Sequence, residues 1–191
     1  MGHDVVEHHA RACRRFGELV QQIQGHQWTL PTPCPDWNVR ALVDHVVRWN
    51  LAVPRQLDGA SLEQLAAELG DDVLGDDPVD ACRRAAGAAI DGFARPEALT
   101  VVVHSPAGDL TGAQLALFRF DDNLIHGWDL ARALSLPALL DPDQVAAGQE
   151  MIEPTAKYLP ATGLFAVPPA LPAGADAQAR LIAMHGRNPF G

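Results

Sequence analysis

Tyrosine occurs once in this 191-residue chain, and aromatic residues make up 6% of it. With alanine abundant, that scarcity favours helix over sheet. Cysteine is scarce too: Cys13, Cys34 and Cys82 are odd in number and widely spaced, and no CxxC pair occurs. A disulfide framework and a thiolate zinc site are therefore not expected. Positive charge is in deficit, with 14 basic against 24 acidic residues and a net charge of -10. Phosphate backbones and anionic membrane surfaces are bound by clustered Lys and Arg. Here Arg14-Arg15 and Arg83-Arg84 are isolated pairs on expected helices, so neither nucleic acid nor membrane is an expected partner. No run approaches the roughly 18 apolar residues of a membrane span. The start, Met1-Gly2-His3-Asp4, lacks the basic-then-apolar pattern of a signal peptide. A reducing cytoplasm is the expected location.

What is present is an ordinary globular composition, 48% hydrophobic and 20% charged, long enough to bury a core without disulfides or metal. Apolar residues recur at helical spacing over about Asp4 to Gln24. Three prolines between Pro31 and Pro35 then demand a stiff extended turn. Asn38 reads as the N-cap of a helix from Val39 to about Val53. A capping box, Ser61 with Gln64, opens a short helix to Leu69. Asp77-Pro78 opens another, to about Ala94. Leu99 to His104 is the best strand, and the turn at 105–109 suggests a hairpin. Thr111 with Gln114 starts the longest helix, to about Leu134. Asp141-Pro142 caps a helix to about Tyr158, with Pro154 as an interruption. Residues 163–174 read as an extended crossing, and Asp176 caps a last helix, about Ala177 to His185. The sum is a mainly all-α fold: four principal helices with a small hairpin over residues 1–140, and a helical appendage, 141–191, packed on the same domain.

Asp122 and His126 are four apart on the longest helix and share a face. A carboxylate and an imidazole so spaced make half of a divalent-metal site. His45, beside the apolar face of its own helix, is the best candidate for the other half. By spacing alone the commoner readings are a hydrogen-bonded core histidine and a surface i,i+4 pair. Two histidines and one carboxylate would leave a coordination position open, as catalytic zinc sites do. Zinc leads, but nickel, iron, manganese or cobalt suits the same ligands. Arg40, one turn before His45, is the candidate for meeting an anionic cofactor or a carboxylate near the site; solvent or Asp44 is its plainer partner. Trp37 and Trp128 are pocket walls or core. Cys34 is expected to be buried rather than reactive. Asp129 is given a structural role, bonding a backbone N–H or Arg132. Gly127, inside a helix, points either to a closely packed neighbour or to room needed at the site. His8, His9 and His104 are remote candidates for a fourth ligand.

Three stretches carry a resemblance. They are Thr32-Pro33-Cys34-Pro35-Asp36-Trp37-Asn38-Val39-Arg40 with Leu42-Val43-Asp44-His45, Asp122-Asn123-Leu124-Ile125-His126-Gly127-Trp128-Asp129-Leu130-Ala131-Arg132-Ala133, and Arg180-Leu181-Ile182-Ala183-Met184-His185-Gly186-Arg187-Asn188-Pro189. Together they resemble the mycothiol-dependent, maleylpyruvate isomerase-like proteins of the DinB/YfiT-like metalloenzyme superfamily, in a branch of metal-binding proteins. The resemblance implies a DinB-like four-helix bundle with a metal near one end, held by His45, Asp122 and His126. In the isomerase branch the second position is usually Glu; Asp122 is one methylene shorter, so ligation there is longer or passes through water. The activity implied is a metal-dependent transferase or isomerase using a mycothiol-type small-molecule thiol. A metal-dependent hydrolase, with Asp44 or Asp129 as base, and a non-catalytic metal-binding interaction module are the alternatives. An apolar bundle face would suit a homodimer.

Overall fold

The computed structural model describes residues 2–105, 108–153 and 166–190. Seven α-helices appear among them: α1 (Gly2–Val20), α2 (Val39–Leu57), α3 (Leu62–Leu69), α4 (Pro78–Phe93), α5 (Gly112–Ala133), α6 (Pro142–Ile152) and α7 (Ala177–Met184). One antiparallel hairpin, β1 (Val102–Ser105) with β2 (Gly108–Thr111), pairs Val103 with Leu110. The mainly helical fold is as expected from the sequence. No helix among the described residues is long and apolar enough to cross a membrane.

The long helices α1, α2, α4 and α5 form the bundle. α5 packs between α1 and α2 on one side and α4 between them on the other. Phe16, Leu19, Leu42, Val43, Val46, Val47, Ala85 and Leu130 fill one part of its core. Within this apolar interior α2 and α5 share a reciprocal amide pair. Asn50 Nδ2 donates to Asn123 Oδ1 at 3.0 Å, and Asn123 Nδ2 returns a bond to Asn50 Oδ1 at 3.1 Å. Both residues are at most 3% exposed. A buried amide left alone costs about 1–3 kcal/mol, so only one register of α2 against α5 satisfies both. That register sets His45 across from Asp122.

Several helix starts follow from local chemistry read in the sequence. Asn38, Ser61, Asp77, Thr111 and Asp176 each accept a backbone N–H at the helix entry, relieving donors that have no intrahelical partner. Asp141 does not cap; its carboxylate takes Arg11 Nη2 of α1 at 2.7 Å, tying the start of α6 to the bundle. α2 also runs through Pro54 to Leu57, beyond the expected stop at Val53. A proline in the last turn forfeits only one hydrogen bond. Burial of Val53, Gln56 and Leu57, with Gln56 donating to the His104 carbonyl, outweighs that loss.

β1 begins later than the expected Leu99. Residues before it serve α5 instead: the carbonyls of Val101 and Leu99 accept from the amides of Gly112 and Ala113. This approach is so close that a Cβ on Gly112 would lie 1.8 Å from the Ala98 carbonyl oxygen.

α6 and α7 share a core with the bundle. Val145 and Ile152 of α6 and Leu181 and Ile182 of α7 pack with Ala12, Phe120, Leu124, Ile125 and Trp128. The expected continuation of α6 from Pro154 to Tyr158, the hairpin turn at Pro106 and Ala107, and the first part of the extended crossing lie outside the described residues.

Candidate metal centre

The proline-rich segment before α2 is a closed loop. Pro31 bridges Asn38, and Thr32 Oγ1 donates to the Trp37 carbonyl and accepts from the Cys34 amide. Fixed this way, Trp37 and Cys34 flank the C-terminal half of α5. Trp37 lies against two imidazoles, its ring centroid 4.5 Å from His45 and 5.4 Å from His126. Trp128, by contrast, is 3% exposed and belongs to the core. The two sequence options for tryptophan are therefore divided between the two residues.

The three sequence-predicted ligands meet. His45 Nε2 lies 3.1 Å from Asp122 Oδ1, and His126 Nε2 lies 3.5 Å from the same oxygen. One donor atom from each of the three falls within 4.8 Å of the others. Donors bound at about 2.0–2.1 Å to one tetrahedral ion lie about 3.3 Å apart, and the two observed separations bracket that value. The donor set therefore fits a divalent cation. Asp122 supplies a carboxylate, not an acid. Burial alone would raise its pKa, but Arg119, then His45 and His126, hold it well below the usual carboxylate range. Arg119 Nη1 donates to the second oxygen, Oδ2, at 3.2 Å, and its guanidinium sits 5.4 Å from the Trp49 ring centroid.

His45 stands at the edge of the apolar face of α2, with its side chain 25% exposed. It opens onto a cleft of about 570 Å³ whose lining includes Trp37, Arg40, Asp44, Arg48 and Asp72. Arg40 is on this rim, where it pairs with Asp72 at 3.3 Å. Asp44 is held by Arg48 at 3.2 Å and also accepts from the Val73 amide.

Asp129 has more to do than its place in the sequence suggested. It is fully buried, and its Oδ2 accepts from His126 Nδ1 at 3.0 Å. That bond keeps a proton on Nδ1 and turns Nε2 toward Asp122. It is the carboxylate–imidazole pairing that orients metal-ligating histidines. Oδ2 also takes Arg187 Nη2 at 2.9 Å and the Cys34 thiol at 3.5 Å. Burial, then the Asp129 charge, pushes that thiol up to about 12, so Cys34 stays protonated. No spacing argument joins positions 34, 129 and 187, although each lies in one of the three motif stretches.

The remaining histidine candidates lie elsewhere. His9 is wholly buried against Phe93 and Cys13, and His104 pairs with Asp109 on the hairpin. Neither belongs to the metal-capable groups found among the described residues. Gly127 has no atom within 4 Å of where a Cβ would sit, so close helix packing does not explain it.

Two imidazoles and a carboxylate converging from two helices define a class: a helical bundle with a candidate divalent-cation centre at one cleft. The chain belongs to the mycothiol maleylpyruvate isomerase N-terminal domain family, whose pattern matches residues 9–131. Uncharacterized proteins from two Mycobacterium tuberculosis strains, CDC 1551 and H37Rv, are each 30% identical to it over 155 residues, covering 79% of this chain and 81% of theirs. No solved structure matches it.

Proposed function

We propose that the protein is a divalent-metal-dependent transferase or isomerase that uses a mycothiol-type low-molecular-weight thiol. His45, Asp122 and His126 are the ligands, and zinc is the first choice of metal. The observation that carries this reading is the convergence of both Nε2 atoms on Asp122 Oδ1, at 3.1 and 3.5 Å, beside an open cleft. A divalent ion there supplies a Lewis-acid position that favours a bound thiol in its thiolate form.

The chain's own residues do the rest. Asp129 orients His126 through Nδ1, and Trp37 packs against both imidazoles. Arg119 keeps Asp122 ionised. Arg40 and Arg48 line the cleft, each paired with a carboxylate of the same wall, Asp72 and Asp44, so an anionic group of the thiol or of its acceptor would reach them by displacing those partners. A hydrolytic reading needs a free carboxylate to take a proton from water. Asp44 is engaged by Arg48 and the Val73 amide, and Asp129 by His126 and Arg187, so neither offers that base. A purely structural metal would not call for a cleft beside His45.

Elemental analysis of the purified protein beside its His45→Ala variant tests the ligands: one divalent ion per chain is expected, and much less in the variant. Cobalt-substituted protein titrated with N-acetylcysteine tests the chemistry. A thiolate-to-cobalt absorbance band that grows with added thiol is the expected result. A protein that binds no divalent ion, or a cobalt form whose spectrum ignores the thiol, overturns the proposal.

A further inference from the structure

His126 faces two sets of donors. Its Nε2 points into the set with His45 and Asp122, and its Nδ1 into a second set made of Asp129 and Cys34. This outer set has the composition of a metal site. Cys34, His126 and Asp129 each offer a ligand atom, and the three atoms lie within 4.8 Å of one another. A sulfur, a nitrogen and a carboxylate oxygen would suit a borderline or soft divalent ion.

The outer set already holds a cation. Arg187, in the segment after α7, donates through Nη2 to Cys34 Sγ at 2.8 Å and to Asp129 Oδ2 at 2.9 Å. Its Nε reaches Asp129 Oδ1 at 3.3 Å, and Nη1 is fixed by the His185 carbonyl at 2.8 Å. The side chain is 11% exposed and that of Asp129 is fully buried. A planar guanidinium with several fixed donors fills such a place more completely than a point charge could. Arg187 also lies beyond residues 9–131, the span matched by the family pattern.

We propose that Arg187 is a resident cation that keeps the outer set closed to metal, so that the centre takes one ion and His126 ligates through Nε2 alone. This rests on the inner set being the metal site proposed above. The outer set would otherwise compete on both counts. An ion bound to Cys34 and Asp129 would take the Nδ1 side of His126, and it would place a protein thiolate beside a centre meant for an external one. The C-terminal segment is thus a specificity element of the centre.

The test is cobalt titration of the metal-stripped full chain in a phosphine reductant, with no thiol added. Wild type is expected to take one equivalent without a thiolate-to-cobalt band. Arg187→Met, which keeps length and removes charge, is expected to take a second equivalent with such a band, releasing the Cys34 proton and the His126 Nδ1 proton to solvent, and Arg187→Met/Cys34→Ser to lose the band. A folded Arg187→Met protein that stays at one equivalent and shows no band overturns the inference. The wild type decides the matter even if Arg187→Met does not fold: a thiolate band in excess cobalt that vanishes in Cys34→Ser overturns it. Wild type that binds no cobalt defeats the proposed function, yet a Cys34-dependent band confined to Arg187→Met would still uphold the role of Arg187.

Discussion

Replacing Asp129 by Asn removes one buried charge while keeping the side chain's shape. Two consequences follow, and they are separable. The first is on stability. Asp129 is fully buried, and its partner Arg187 has 11% of its side chain exposed. Breaking a buried pair by deleting one charge costs about 3–5 kcal/mol. Arg187 keeps its bond to the His185 carbonyl and some water, so the lower end, about 3 kcal/mol, applies. For a domain of this size that is a fall of about 6–12 °C in melting temperature. The second is on the metal. His126 Nδ1 would face a neutral amide, a weaker acceptor that can also present its NH2 group. Loss of such an outer partner typically weakens metal binding about 10–100-fold, or about 1.4–2.8 kcal/mol. Thermal unfolding of the metal-free protein measures the first effect, and competition against a chromophoric chelator measures the second. Asp129→Asn with wild-type metal affinity refutes the orienting role, whatever its stability. Wild-type stability refutes the buried-pair argument.

Two glycines of α5 should respond in opposite directions. Gly127→Ala places a methyl where no atom lies within 4 Å, and it should stabilise by about 1 kcal/mol through helix propensity. Gly112→Ala drives a Cβ to 1.8 Å from the Ala98 carbonyl oxygen; it should destabilise by several times that, read by urea unfolding. Stability should also depend on pH through His185. Burial opposes its charge, but the Asp121 carboxylate at 2.8 Å and the Leu181 carbonyl raise it above the ordinary histidine value. A raised folded value means that the stabilisation is complete below the unfolded value and is lost as pH rises through the folded one. The urea midpoint of wild type should therefore fall on that alkaline side, and His185→Gln should flatten the fall.

The fold was largely legible because its signals are local. Asn38, Ser61 with Gln64, Asp77-Pro78 and Thr111 with Gln114 act within four residues of themselves, and each opens a helix where expected. Misplaced boundaries arose where distant contacts decide. Burial of Gln56 and Leu57 carries α2 through Pro54, and Arg11 draws Asp141 away from capping. The candidate ligands were half legible in the same sense. Asp122 and His126 share a face by helical geometry, whereas the partnership with His45 depends on packing of α2 against α5, fixed in part by Asn50 and Asn123. The outer group of Cys34, Asp129 and Arg187 joins residues up to 153 positions apart. Periodicity says nothing about such a meeting; only the fold makes it.

Arg119 would set the charge that an ion bound at this site prefers in its fourth ligand. It donates to Asp122 Oδ2 at 3.2 Å, opposite the oxygen that faces both imidazoles. The one carboxylate of the inner set is therefore already balanced. A divalent ion added there leaves a local excess of positive charge, which an anionic fourth ligand relieves and neutral water does not. A thiolate suits this balance. Arg119→Met should thus move two affinities in opposite directions. At an effective dielectric of about 20, unit charges 4 Å apart interact by about 4 kcal/mol. Losing a third of that repulsion tightens divalent-ion binding about tenfold. Asp122, left without its guanidinium, also destabilises the metal-free state, so the rise in melting temperature on adding metal should be larger than in wild type. Binding of N-acetylcysteine to the cobalt form should weaken at the same time. Parallel losses of metal and thiol affinity would instead make Arg119 a support for the Asp122 rotamer, and the charge argument for a thiolate would fall with them.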